Sequence, residues 1–139
     1  MKTNMKGYLE KLNEFVQGSE GVADKMDPFY QQAAENLTEN KLSAENLAAI
    51  HENFASGVAE YRVMLEKLTQ MKPPAKAMGL HLRLQKTFAR YVEECQMMVE
   101  AVDGKLDVEK FQAAEAAQDK SSNDIGYCVQ KITAILTGR

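Results

Sequence analysis

Leu65-Glu66-Lys67-Leu68-Thr69-Gln70-Met71-Lys72-Pro73-Pro74-Ala75-Lys76-Ala77-Met78-Gly79-Leu80-His81-Leu82-Arg83-Leu84 is the stretch that decides the fold. To its left, Leu47, His51, Phe54, Val58, Tyr61, Leu65 and Leu68 recur four and three residues apart, the spacing of one face of a helix. To its right the rhythm restarts with Ala77, His81 and Leu84 and runs on through Phe88, Tyr91, Cys95, Met98 and Val102. Pro73-Pro74 stands between the two runs, because the residue before a proline is pushed out of the helical region. Two long amphipathic helices joined by so short a turn lie antiparallel.

The same pattern extends in both directions. Upstream, Met5, Tyr8, Leu12, Phe15, Val22, Met26, Phe29, Ala33 and Leu37 share a face, with Ser19 filling the gap. Asp27-Pro28 could start a new helix, with Asp27 as N-cap and Pro28 at the first helical position. The register survives Pro28, however, so the spacing favours one long helix kinked near that proline. Asn40-Lys41-Leu42 then forms a turn, and Ser43 caps the second helix. Downstream, Gly104 suits the end of the third helix and Asp107 the cap of the fourth. The fourth helix turns Val108, Phe111, Ala114, Ser121, Ile125, Cys128, Ile132 and Ile135 inward. Its stretch Ala113-Ala114-Glu115-Ala116-Ala117, continuing to Ser121-Ser122, offers only small side chains. It must pack closely or leave room for a bulky neighbour such as Tyr30 or Phe54.

The expected architecture is therefore all-α, an up-down-up-down antiparallel four-helix bundle in one domain over residues 1–139. The helices are expected at about 3–39, 43–72, 75–103 and 107–137. A chain of 139 residues can bury such a core without metal or disulfide staples. Hydrophobic residues make up 45% and charged residues 27%, as in ordinary globular domains. The net charge of −3 gives no general case for nucleic-acid binding. No apolar run approaches the roughly 20 residues that span a bilayer. The first residues, Met1-Lys2-Thr3-Asn4-Met5-Lys6, lead into a charged helix and not into an apolar leader segment. As it stands the chain reads as cytoplasmic, or as surface-anchored if a leader has been removed.

Setting the hairpins converts sequence into height along the bundle, and the charges then separate. The half near Pro73-Pro74, made of residues 1–17, 62–90 and 125–139, carries twelve Lys and Arg against Glu10, Glu14 and Glu66, a net of +9. The other half holds five basic and seventeen acidic residues, a net of −12. The third helix even opposes its own dipole, with Lys76 and Arg83 early and Glu100 and Asp103 late. Each such placement forgoes roughly 0.3–1 kcal/mol. A solvated surface drifting in charge explains part of this. Steering of a partner explains it equally well, and singles out Lys72, Lys76, Arg83, Lys86 and Arg90 as candidate partner-binding residues. Met64, Met71, Leu80 and Leu82 lie beside the main seam at the same end. They form either the flank of a wide core stripe or, rimmed by Lys67, Lys72 and Arg83, an interface patch centred on Met71 and Leu80.

Chemical motifs are absent from the sequence. There is no Gly-x-Ser-x-Gly, no phosphate-binding glycine loop, no Cys-x-x-Cys and no Glu-x-x-His, so neither an enzyme nor a di-iron carboxylate bundle is expected. In the antiparallel arrangement His51 is expected level with Cys95, and His81 level with Cys128. Both pairs are soft-ligand combinations, yet zinc wants three or four protein ligands and the neighbours at those heights are apolar or small. The expectation is hydrogen-bonded histidines, cysteines acting as small apolar fillers, no bound cofactor and no disulfide across a height difference of roughly 20 Å. A metal- or small-ligand-binding bundle built on these His and Cys residues is the alternative. Gly7, Gly57, Gly79 and Gly126 are isolated within helical pattern and are expected to permit close helix approach.

Leu68-Thr69-Gln70-Met71-Lys72-Pro73-Pro74 followed by His81, Leu84 and Tyr91 resembles a pattern in small, largely uncharacterised helical-bundle proteins of Gram-positive bacteria, many of them lipid-anchored at the cell surface. The chain departs from that pattern in showing no leader segment and no N-terminal lipid-attachment cysteine. The resemblance implies an N-terminal anchor at the basic end, where an anionic membrane surface would attract it, and implies no catalytic residues. The functional expectation is a non-enzymatic interaction protein that pairs with itself as a homodimer, with another protein, or with an anionic surface.

Overall fold

The computed structural model describes residues 5–39 and 41–138. Four helices follow in order: α1 (Met5–Glu35), α2 (Ala44–Gln70), α3 (Met78–Ala101) and α4 (Val108–Thr137), with no strand among the described residues. A 3-10 turn, Ala75–Ala77, leads into α3. The fold is a four-helix bundle. None of the helices is long and apolar enough to cross a membrane.

Each helix end has a local cause. Ser43 Oγ accepts the Asn46 amide at 3.0 Å, and Asp107 Oδ1 accepts the Lys110 amide at 3.1 Å, satisfying donors that the first helical turn leaves open. α1 runs unbroken through exposed Pro28, so Asp27 is not a cap, and its carboxylate accepts from Gln31 instead. α1 stops at Glu35, short of the expected 39, because Asn36 folds back on it. The Asn36 amide donates to the Gln32 carbonyl at 2.7 Å, and its Oδ1 accepts the Lys41 amide at 3.1 Å. The expected turn residue Asn40 lies outside the described residues. α2 ends at Gln70 because Met71 is already extended ahead of the prolines. α3 ends at Ala101, two residues short of expectation. Left-handed Gly104 (φ 75°) turns the chain, and the Asp107 amide closes on the Ala101 carbonyl at 2.7 Å. Left-handed Gly138 terminates α4.

One continuous core joins all four helices. Phe88 sits among rings from three helices, edge-on to Phe15 (4.8 Å between centroids) and Tyr61 (5.8 Å), and stacked with Tyr91 at 6.1 Å. Ile50, Val92, Val99 and Leu136 are also buried, outside the four-three rhythm. Ile135, expected inward, is instead 39% exposed while Leu136 is 4% exposed. A straight helix drifts about 20° per heptad against a strict seven-residue repeat, so by the last turn of α4 the inward position has moved on by one residue. Met5 is likewise exposed at the start of α1.

The four seams are unequal. α3 packs on α4 along its length, and α1 packs on α2, whereas α1 and α4 barely touch. The small side chains of α4 produce both effects. They let α3 approach closely, and they leave space on the α1 side, which Tyr30 enters by stacking on Phe111 at 5.8 Å. Of the helical glycines expected to admit a neighbour, Gly57 does: a Cβ there would lie 2.2 Å from Met26 Sδ. Gly79 and Gly126 face open space.

Candidate functional site

The Pro73-Pro74 end is organised around His81, which is buried and links three helices. Nε2 lies 3.0 Å from the Leu68 carbonyl, which can only accept, so Nε2 carries the proton. Nδ1 therefore accepts the Tyr8 hydroxyl at 2.8 Å. His81 thus ties α1 to the last turn of α2. Burial lowers its pKa from the ordinary histidine value, opposed in part by the Leu68 carbonyl, and pushes the Tyr8 hydroxyl up to about 12. The ring is neutral and structural.

The candidate cations around this frame are not equivalent. Lys72, Lys76 and Lys86 are exposed and form no ion pair among the described residues. Arg83 is also exposed, with its guanidinium 5.0 Å over the Tyr127 ring, which Lys131 approaches at 5.7 Å. Arg90 is half engaged. It donates to Ser121 Oγ and Asp124 Oδ2 at 3.1 Å each, and lies 4.0 Å from Glu94. Lys6, Lys11, Lys67 and Lys131 likewise make no ion pair among the described residues, so eight cations at this end are without one. The pairs that do form involve Arg62 with Glu93 and Arg90 with Asp124, near the middle of the bundle, or lie in the acidic half: Lys25 with Glu60, Lys41 with Glu39, Lys110 with Glu100.

The apolar patch divides. Met64 and Met71 line an open groove of about 450 Å³ between α1 and α2, together with Phe15, Gly18 and Leu68 and rimmed by Lys11, Glu14 and Lys67. Leu80 is half-buried against the core and Leu82 is 48% exposed, and neither lines the groove. Lys67 is the one member of the expected rim that does, since Lys72 and Arg83 stand outside it. Gly18 and Phe15, on the opposite helix, could not be assigned to this feature from helical spacing alone.

A second cavity, about 180 Å³, opens where α1 and α4 fail to close and is lined by Met26, Tyr30, Phe54, Tyr91, Cys95 and Gln118, among others. Burial pushes the Cys95 thiol up to about 12, which keeps it protonated and unreactive, and the Cys128 thiol is also raised by burial. Both cysteines are free. His51 Nε2 lies 3.9 Å from Asp103, in the turn beyond α3, while Cys95 lines the cavity beside Phe54, one turn further along α2. No group of three or more His, Cys, Asp or Glu side chains converges as a metal site among the described residues. Glu94 Oε1 is buried at the α3–α4 seam without a hydrogen-bond partner among the described residues.

No protein-family model, curated protein or solved structure matches this chain.

Proposed function

We propose that this chain is a non-enzymatic interaction protein whose basic end docks an anionic protein surface, and that a second copy, aligned antiparallel, is the partner its charge pattern fits best. The observation that carries this reading is the distribution of ion pairs. Eight cations at the Pro73-Pro74 end have none among the described residues, while the acidic half carries twelve more acids than bases. Two copies laid antiparallel bring each basic end against an acidic one, an isologous pairing that closes on itself. Such complementarity speeds encounter and sets register more than it adds affinity. The resemblance of the hairpin to anchored surface bundles bears on where such pairing would take place and not on its chemistry.

The test replaces Lys72, Lys76 and Lys86 with Glu in one chain. These residues are exposed and carry no ion pair among the described residues, so the helical signal and melting temperature stay close to those of the parent. Self-association, read by sedimentation velocity at low salt, is expected to be lost. Association unchanged in that chain would contradict the reading.

A further inference from the structure

The groove between α1 and α2 is suited to a different kind of ligand. Its lining runs from Lys11 to Gly18 on α1 and from Met64 to Met71 across the end of α2, about two helical turns, or roughly 10 Å, on each side. That is too short for a protein partner, since stable protein interfaces bury on the order of 1,200–2,000 Å². The volume of about 450 Å³ falls instead among small-molecule sites. If each non-hydrogen atom is allotted roughly the 30 Å³ of a liquid water, it holds about 15 of them.

The lining then states the chemistry. Phe15 and Leu68 are buried and make an apolar floor, and Met64 and Met71 add flexible thioether walls that adapt to a chain without a fixed shape. Gly18 bares the α1 backbone opposite Met64, where a Cβ would stand 3.4 Å from the Met64 methyl. Three charges mark the rim, Lys11, Lys67 and Glu14, a net of +1. Neither lysine forms an ion pair among the described residues, although Lys25 and Glu60 tie the same two helices together further along.

We infer that this groove binds a single-chain amphipathic monoanion, an alkyl carboxylate of about twelve carbons, which matches the atom count above. Its chain lies bent over Phe15, Met64, Leu68 and Met71, because twelve carbons fully extended outrun a groove two helical turns long, and its carboxylate meets the Lys11 and Lys67 ammonium groups. Glu14 restricts the site to one negative charge, which distinguishes it from a polyanion site. The inference does not rest on self-association, because none of Lys72, Lys76 or Lys86 lines the groove.

The experiment is calorimetric titration of the full chain with sodium dodecanoate below its micelle-forming concentration. Decanoate, octanoate and the cation dodecyltrimethylammonium serve as comparisons. One-to-one binding of dodecanoate is expected, weakening about tenfold for each two methylenes removed, and at least about tenfold weaker for the cation. Gly18→Leu, which fills the groove from a helical position that tolerates leucine, should abolish binding without lowering stability. Lys11→Gln with Lys67→Gln should remove the preference for the anion while leaving the chain-length dependence. The Lys72, Lys76, Lys86 to Glu chain should still bind dodecanoate, and Gly18→Leu should still self-associate, so the two readings can fail separately. No binding of dodecanoate, equal affinity for the cation, or unchanged binding in Gly18→Leu would each overturn the inference.

Discussion

In the half of the bundle away from Pro73-Pro74, Lys25, Lys41 and Lys110 each meet a carboxylate. In the half that contains those prolines, Lys72, Lys76 and Lys86 meet none among the described residues. Packing differs between the halves as well. The basic half is held by His81 between Tyr8 and Leu68 and by the rings around Phe88, whereas the acidic half contains the small side chains of α4, the Tyr30–Phe111 stack and a cavity. The half interlocked by His81 and the rings around Phe88 therefore bears the unpaired cations, although it also holds the larger α1–α2 groove, and the other half bears the excess of negative charge. A rigid base is where unpaired cations lose least entropy on meeting a partner, and exposed pairs elsewhere contribute only about 0–1 kcal/mol each, so the lack of pairs at one end is not a stability device.

The packing contrast can be broken most forcefully at its rings. Phe88→Ala is expected to cost about 3–5 kcal/mol in denaturant unfolding. Phe111→Ala should cost less by about 1–3 kcal/mol, because Phe111 makes one ring contact where Phe88 makes three, a difference of two pairs. Equal losses would remove the asymmetry. A second effect is confined to the basic half. The folded-state pKa of His81 is lowered, so the folded protein binds fewer protons than the unfolded chain just below the ordinary histidine pKa of about 6.5. The contribution of the neutral ring is complete above that value and is lost as pH falls through the window beneath it. Melting temperature should drop as pH falls below about 6.5. His81→Gln, which can still donate to Leu68 and accept from Tyr8, should flatten that part of the profile, and an unchanged profile would rule His81 out as its source.

Smaller effects separate the glycines. Gly126→Ala faces open space and should stabilise by about 0.5–1 kcal/mol through helix propensity. Gly57→Ala gains the same propensity but must displace Met26 from the α1–α2 seam, so its net effect should be zero or destabilising. Thermal melts of the two variants side by side decide this, and stabilisation of both by the same amount would mean that Met26 yields freely.

These contrasts also mark what the chain discloses before folding. Ser43, Asp107 and Pro73-Pro74 act on residues within a turn of themselves, so helix ends and order could be read from spacing and capping chemistry. The separation of charge followed from hairpin order. Finer placement depends on distances accumulated along several turns. Ile135 gave way to Leu136 because the helical period is not a whole fraction of seven, and His51 reached Asp103 across the turn that follows α3. The groove was half legible. Met64 and Met71 stood out beside the seam, but Gly18 and Phe15 join them only through the depth at which α1 packs on α2. Glycine spacing carried no sign of its own, since Gly57 and Gly126 look alike until a neighbour is placed over one of them.

The claim that the two ends are complementary partners is tested most directly by light scattering behind size exclusion at about 0.05 M and about 0.5 M salt, where screening lengths fall from more than 10 Å to a few Å. Antiparallel pairing through charge predicts a dimer at low salt that dissociates at high salt. A monomer at both concentrations, or a dimer indifferent to salt, would contradict it.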